Sequence, residues 1–218
     1  MTVNIGTRSL LFGVHQVAIH PWFVAWAWWR LYGFPWDPRL WIAFVIHDWG
    51  YWGKPNMDGP EGEQHPEWAA RVMHTMFDWP RKLRESPCRY CGRAFEGQGT
   101  SYFGPRCSAV DGCGTPRNNR WLDFCSYHSR FLAKRDGQPY SRLCVADKLA
   151  IALQPAWWYL PSAWLSGELR EYMVGQGART PANGRSAFWW YRDEQRYCRE
   201  WAMEHRDGVE DIWTGTLR

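Results

Sequence analysis

The chain has 218 residues, 45% of them apolar and 17% aromatic, which excludes a disordered polymer and suits one large domain or one domain with a small insert. Its 26 basic and 22 acidic residues leave a net charge of only +4, so it has no polybasic nucleic-acid-binding arm. Most of the basic side chains are arginine, which suits phosphate contacts without proving them.

Eighteen tryptophans imply a bulky core and carry no functional reading of their own. The longest apolar run, 10–29, contains His15, Gln16, His20 and Pro21 and makes a poor membrane-spanning helix. Arg8 is the only basic residue ahead of it, and no small-residue cleavage site closes it, which argues against a signal peptide. The expectation is a cytoplasmic protein with no membrane association. Its seven cysteines are then expected as thiols or metal ligands rather than disulfides.

Along the chain, residues 1–14 give no clear pattern: a polar start, then Leu10-Leu11-Phe12. A helix is predicted to begin at His20-Pro21, with Pro21 at its first position, and to stop near Gly33. It is apolar on every face. His15 lies five residues earlier, about 140° around a helix at ~100° per residue, so His15 and His20 are not expected to share one ion through a continuous helix. His20 is the favoured one.

Asp37 and Pro38 read as the N-cap and first residue of a second helix, and Gly50 as its stop. Its run Leu40-Trp41-Ile42-Ala43-Phe44-Val45-Ile46 predicts burial on all sides. His47 and Asp48 are thereby carried inward, where each needs a partner. A divalent cation suits both, and a core histidine bonded to a helix-end aspartate is the alternative.

The segment 50–64 reads as a loop rich in Gly and Pro, containing Asp58, Glu61, Glu63 and Lys54. His65-Pro66-Glu67 repeats the His-Pro helix start, with Trp68, Ala69, Val72, Met73 and Met76 as an apolar face. His65 is a candidate site residue through its nearness to His47-Asp48; His74 reads as helix surface.

Residues 84–118 differ in character and are expected to form a small cysteine-rich insert. Cys88-Arg89-Tyr90-Cys91-Gly92 is a zinc-knuckle-like pair, and Cys107 and Cys113 complete four thiolates for a structural zinc, with Cys125 a substitute for either of the latter two. A helix follows over 121–135 with His128 and Arg130, then one over about 140–153 with Asp147 and Lys148 between apolar neighbours. Amphipathic segments 161–174 and 186–205 read as packing helices, joined by a loop over 175–184, with His205 at the surface. No internal repeat is present, and no strand pattern of useful length lies outside the cysteine insert.

The order His20, His47-Asp48, His65, His128, Asp147 resembles the HD-domain superfamily of metal-dependent phosphohydrolases. His20-Pro21-x-x-Val24-Ala25 is similar to that family's first histidine helix, Ala43-x-x-x-His47-Asp48-x-Gly50 to its namesake motif, and Val145-Ala146-Asp147-Lys148-Leu149 to the helix of its last aspartate. The resemblance covers about residues 15–153 without the cysteine insert. It implies an all-α, HD-domain/PDEase-like helical bundle over 1–218.

It further implies that His20, His47, Asp48 and Asp147 hold one divalent metal (Mn, Co, Mg, Fe or Zn). His65 and His128 would add a second metal or act on the phosphate and its water, although a single His128 stands where some branches have paired histidines. Asp48 would orient the attacking water, and Lys148 and Arg130 are candidate phosphate contacts. The implied substrate is a nucleotide, either a nucleoside monophosphate or a deoxynucleoside triphosphate.

Two alternatives stand beside it. One is a phosphodiesterase acting on a cyclic nucleotide or a nucleic-acid end. The other is a non-catalytic, metal-stabilised binding module, in which Arg89, Arg93, Arg106, Arg117 and Arg120 around the cysteines would meet nucleic acid, a partner class not favoured here. A homo-oligomer is the default assembly.

Overall fold

The computed structural model describes residues 4–78, 120–174 and 186–207. Among them are ten α-helices and no strand. In chain order these are α1 (Ile5–Phe12), α2 (His20–Tyr32), α3 (Pro38–Ile46), α4 (Pro66–Phe77), α5 (Arg120–Ser126), α6 (Arg130–Arg135), α7 (Arg142–Leu153), α8 (Ala156–Ser166), α9 (Glu168–Val174) and α10 (Ala187–His205). Single 3-10 turns stand at Trp49–Tyr51 and Gly62–Gln64. The cysteine-rich segment 84–118 lies outside the described residues, with Cys88, Cys91, Cys107 and Cys113 and with Arg89, Arg93, Arg106 and Arg117; so does the loop 175–184.

The helix at the centre is α7. The Ser141 hydroxyl caps it by accepting from the Cys144 N–H at 3.2 Å. Leu143, Cys144, Val145, Ala146, Leu149, Ala150 and Ala152 are all buried, because α2 and α10 both pack against it. Small residues at 146, 150 and 152 let those neighbours approach closely. The expectation of a helix buried on all sides was placed on α3, and there it fails. α3 buries Ala43, Phe44 and Ile46, whereas Val45 is 41% exposed.

The other corrections have local causes. Residues 5–12, which show no clear pattern in the sequence, form α1, and α1 packs on α8. The helix expected over 121–135 is two helices, broken at 127–129, with the Ser129 hydroxyl starting α6 by accepting from the Leu132 N–H. The packing segment expected over 161–174 is also two helices. They divide at Gly167, whose φ of +91° lies where glycine is favoured.

His205 is not at the surface: it is 2% exposed and stacked on Trp201. α2 starts and stops as predicted, at His20-Pro21 and at Gly33, but it buries one side only. Trp22, Trp26 and Trp29 face outward, at 66%, 44% and 59% exposure. On α4, Trp68 and Met76 are likewise exposed, and Ala69, Ala70 and Met73 form its core face. No helix among the described residues is long and apolar enough to cross a membrane.

Candidate metal centre

Helix ends, one helix break and one helix interior present the site residues. His20 opens α2, where Pro21 sets the first helical dihedral. His47 is the C-cap of α3, and Asp48 follows it into the Trp49–Tyr51 turn. His65 caps α4 ahead of Pro66, and His128 sits in the break between α5 and α6. Asp147 projects from the middle of the central helix, α7. All six are buried.

These side chains form two ligand groups that share Asp48. Each group offers one atom per residue with mutual separations below 4.8 Å: His20, His47, Asp48 and Asp147 in the first, Asp48, His65 and His128 in the second. In the first, His20 Nε2 lies 3.0 Å from Asp147 Oδ1 and 3.4 Å from Asp48 Oδ2. His47 Nε2 lies 3.1 Å from Asp48 Oδ2 and 3.8 Å from Asp147 Oδ1. In the second, His65 Nε2 is 3.5 Å and His128 Nε2 3.8 Å from Asp48 Oδ1. The two carboxylate oxygens of Asp48 thus face different groups.

Three of the rings are set by the same backbone device. His47 Nδ1–H donates to the Phe44 carbonyl at 2.9 Å, His65 Nδ1–H to Gly62 at 2.7 Å and His128 Nδ1–H to Cys125 at 2.5 Å. A carbonyl oxygen only accepts, so Nδ1 carries a proton, and the ring, when neutral, directs a lone pair from Nε2. The Nε2 atoms of His65 and His128 then face each other at 2.9 Å. His47 Nε2 and Asp48 Oδ2, although buried, have no hydrogen-bond partner. Buried lone pairs converging on carboxylates are costly without a cation between them. Imidazole nitrogens and carboxylate oxygens are suitable donors for divalent ions, so the donor set fits a metal.

The electrostatics agree with that fit. Burial opposes ionisation of Asp48 and Asp147, but the surrounding histidines outweigh it and hold both carboxyls well below their usual range. Burial and the neighbouring His128 keep His65 well below the usual imidazole range, so its lone pair stays available. Burial alone would lower His47; Asp48 and Asp147 outweigh it and push the metal-free ring up to about 10.

Of the two predicted phosphate contacts, Lys148 adjoins this centre, and Arg130 lies within electrostatic range of Lys148. Lys148 Nζ stands 3.9 Å from Asp147 Oδ2, with 19% of its side chain exposed. Arg130 NH1 donates to the Tyr197 hydroxyl at 2.8 Å, and its guanidinium lies 5.4 Å from the centre of the Trp201 ring. Burial raises the carboxyl of the half-buried Glu63 against the lowering pull of Lys148 and Arg130, and the exposed Asp58 lies in the field of the same two cations. The surroundings of the centre therefore carry both signs of charge.

One glycine brings two site loops together. A Cβ at Gly50 would overlap the backbone of His65 at its carbonyl. Gly50→Ala is expected to force the 49–51 turn away from His65 and to cost about 1–3 kcal/mol, the usual range for overpacking. Urea unfolding of the metal-free protein measures it, and a change within error would show that the turn yields freely.

Cys125, considered as a zinc ligand, instead lies in the main core, where burial pushes its thiol up. Trp49 and Trp52 are 41% and 64% exposed. Tyr51 between them is buried and stacks on His65 with ring centres 3.8 Å apart. Sequence reasoning missed Glu168, which is fully buried and paired with His15 beside the cluster. A lone glutamate following Gly167 gives no signal by itself; its partner is 153 residues away. His74, assigned to the helix surface, has a side chain 36% exposed and approaches Asp78 at 3.4 Å.

Comparison with models of protein families, with curated proteins and with solved structures finds no match to the chain.

Proposed function

We propose that this chain is a metal-dependent phosphohydrolase of the HD-domain kind, cleaving a phosphate ester or anhydride bond of a nucleotide. The observation that carries the reading is the pair of buried ligand groups joined through Asp48, with Lys148 beside them and Arg130 within electrostatic range of Lys148. A bound divalent ion supplies Lewis acidity toward phosphoryl oxygens and lowers the pKa of water.

The remaining work falls to the chain's own residues. Asp48, between the groups, orients the attacking water. Lys148 and Arg130 meet the phosphoryl oxygens, since charge-assisted hydrogen bonds to phosphate are among the stronger ones. Asp147 holds Lys148, and Tyr197 with Trp201 holds Arg130, so neither cation has to be ordered by the substrate. The exposed indoles of Trp49 and Trp52 offer faces on which a base can stack. The nucleotide preference otherwise follows the resemblance of the motif order.

The test is a hydrolysis screen pairing Mn²⁺, Co²⁺, Mg²⁺, Fe²⁺ or Zn²⁺ with nucleoside mono- and triphosphates and cyclic dinucleotides. Release of phosphate, pyrophosphate or triphosphate identifies the bond cleaved. The expected result is turnover of a mono- or triphosphate that His47→Ala abolishes. Turnover of a cyclic dinucleotide alone would replace the proposal with a phosphodiesterase. No turnover from folded, metal-loaded protein would leave a metal-stabilised binding module.

A further inference from the structure

Glu168 opens α9 and is 0% exposed. Its Oε1 accepts from the Ser9 hydroxyl at 2.6 Å and the Tyr172 hydroxyl at 3.2 Å. Its Oε2 accepts from the Val14 N–H at 3.0 Å and the Ser166 hydroxyl at 2.5 Å. Those four donors already fill the roughly four lone-pair sites of a carboxylate. His15 Nδ1 comes as a fifth, 3.0 Å from Oε1. A buried carboxylate that is satisfied without the imidazole, yet paired with it, serves to hold the ring.

The ring is held against the metal centre. It meets the His20 ring edge-on with centres 5.3 Å apart, and it lies 5.4 Å from Tyr51, the ring stacked on His65. His15 therefore adjoins a member of the first ligand group directly and one of the second through Tyr51. Its side-chain hydrogen bonds among the described residues, to Ser9 and Glu168, both run through Nδ1. The side chain is 11% exposed, so solvent and small ligands reach the ring.

We propose that His15, its ring an imidazolium paired through Nδ1–H with Glu168, donates from Nε2–H to a phosphoryl oxygen of the substrate and that Glu168 is its positioning residue. The proposal rests on the phosphohydrolase reading for the identity of the ligand. Glu168, Ser9 and Ser166 keep one edge of the ring fixed, so the other edge is pre-oriented where an oxyanion reaches the shared Asp48 centre.

The test uses the full chain loaded with Mn²⁺ and titrated with inorganic phosphate by calorimetry, comparing wild type with His15→Gln, Glu168→Gln and the double variant. His15→Gln is expected to keep the manganese stoichiometry and melting temperature and to weaken phosphate by about 10- to 100-fold, the worth of one charge-assisted hydrogen bond. Glu168→Gln is expected to weaken phosphate in wild type and to add nothing in the His15→Gln background. A merely structural clamp would not show that coupling.

Unchanged phosphate affinity in His15→Gln overturns the proposal, as does loss of manganese in that variant or a wild type that binds no phosphate. Weakened phosphate binding in a protein that hydrolyses no nucleotide would refute the phosphohydrolase and leave the His15 site standing.

Discussion

Asp48→Asn is expected to remove metal from both ligand groups at once and to lower turnover by about 10³-fold or more, since metal-ion stabilisation of several kcal/mol is lost and each 1.36 kcal/mol is tenfold in rate. The reason is geometric. Asp48 Oδ2 faces His20 and His47 while Oδ1 faces His65 and His128, so one carboxylate supplies the negative charge common to four imidazoles. An amide of the same shape offers one neutral acceptor and one donor, and its N–H₂ would point at an Nε2 lone pair or into the space for the ion. His65→Ala, by contrast, takes a ligand from the second group alone. Bound metal is therefore expected to fall to near zero in Asp48→Asn and only in part in His65→Ala. Elemental analysis of dialysed protein, with circular dichroism to confirm folding, reads both. Equal losses in the two variants would mean that the groups do not share Asp48.

Trp201→Ala is expected to give the largest loss of stability, about 3–5 kcal/mol, which is the range for deleting a buried aromatic ring. Trp201 is completely buried and stacks on His205 with ring centres 4.2 Å apart. It also packs beside Tyr140 and carries the Arg130 guanidinium over its face. Domains are stable by only about 5–15 kcal/mol, so the variant is left marginal, with a melting temperature lower by roughly 10 °C.

The second consequence is functional. With its aromatic face gone, Arg130 keeps the Tyr197 hydroxyl as its hydrogen-bond partner among the described residues, and KM for the phosphate-bearing substrate is expected to rise while metal content is unchanged. Trp201→Phe keeps a ring under Arg130 and is expected to recover most of the KM. A Trp201→Ala variant with unaltered KM would show that Arg130 has no part in binding.

The helix starts were legible because their causes lie within a few residues: Pro21, Pro38 and Pro66 at the first or second helical position, and Gly33 at a positive-φ stop. The identities and order of the candidate ligands were legible for a related reason. His20, His47-Asp48, His65 and Asp147 are presented by helix ends or a helix interior that local chemistry specifies.

Residue 128 marks where that reasoning stopped. A pattern of apolar residues over 121–135 is compatible with one helix, whereas the folded chain breaks at 127–129, where the Ser129 hydroxyl caps α6 and His128 approaches Asp48. Burial followed the same division. The run before His47 is the more apolar, yet α7 is the helix enclosed on all sides, because Ala146, Ala150 and Ala152 admit α2 and α10. Apolarity is a property of the segment, whereas enclosure depends on what its neighbours can approach.

Glu168 and His15 make the same point at the site. Each is unremarkable in its own stretch, and they meet across 153 residues only when α1 and α9 are brought together. The sequence by itself determined the candidate ligand residue types, their order and the turns that start their helices, since these are short-range chemistry. Tertiary packing alone decided the convergence on Asp48, the burial of α7 and the pairing of His15 with Glu168, since contacts between distant segments exist only in the folded chain.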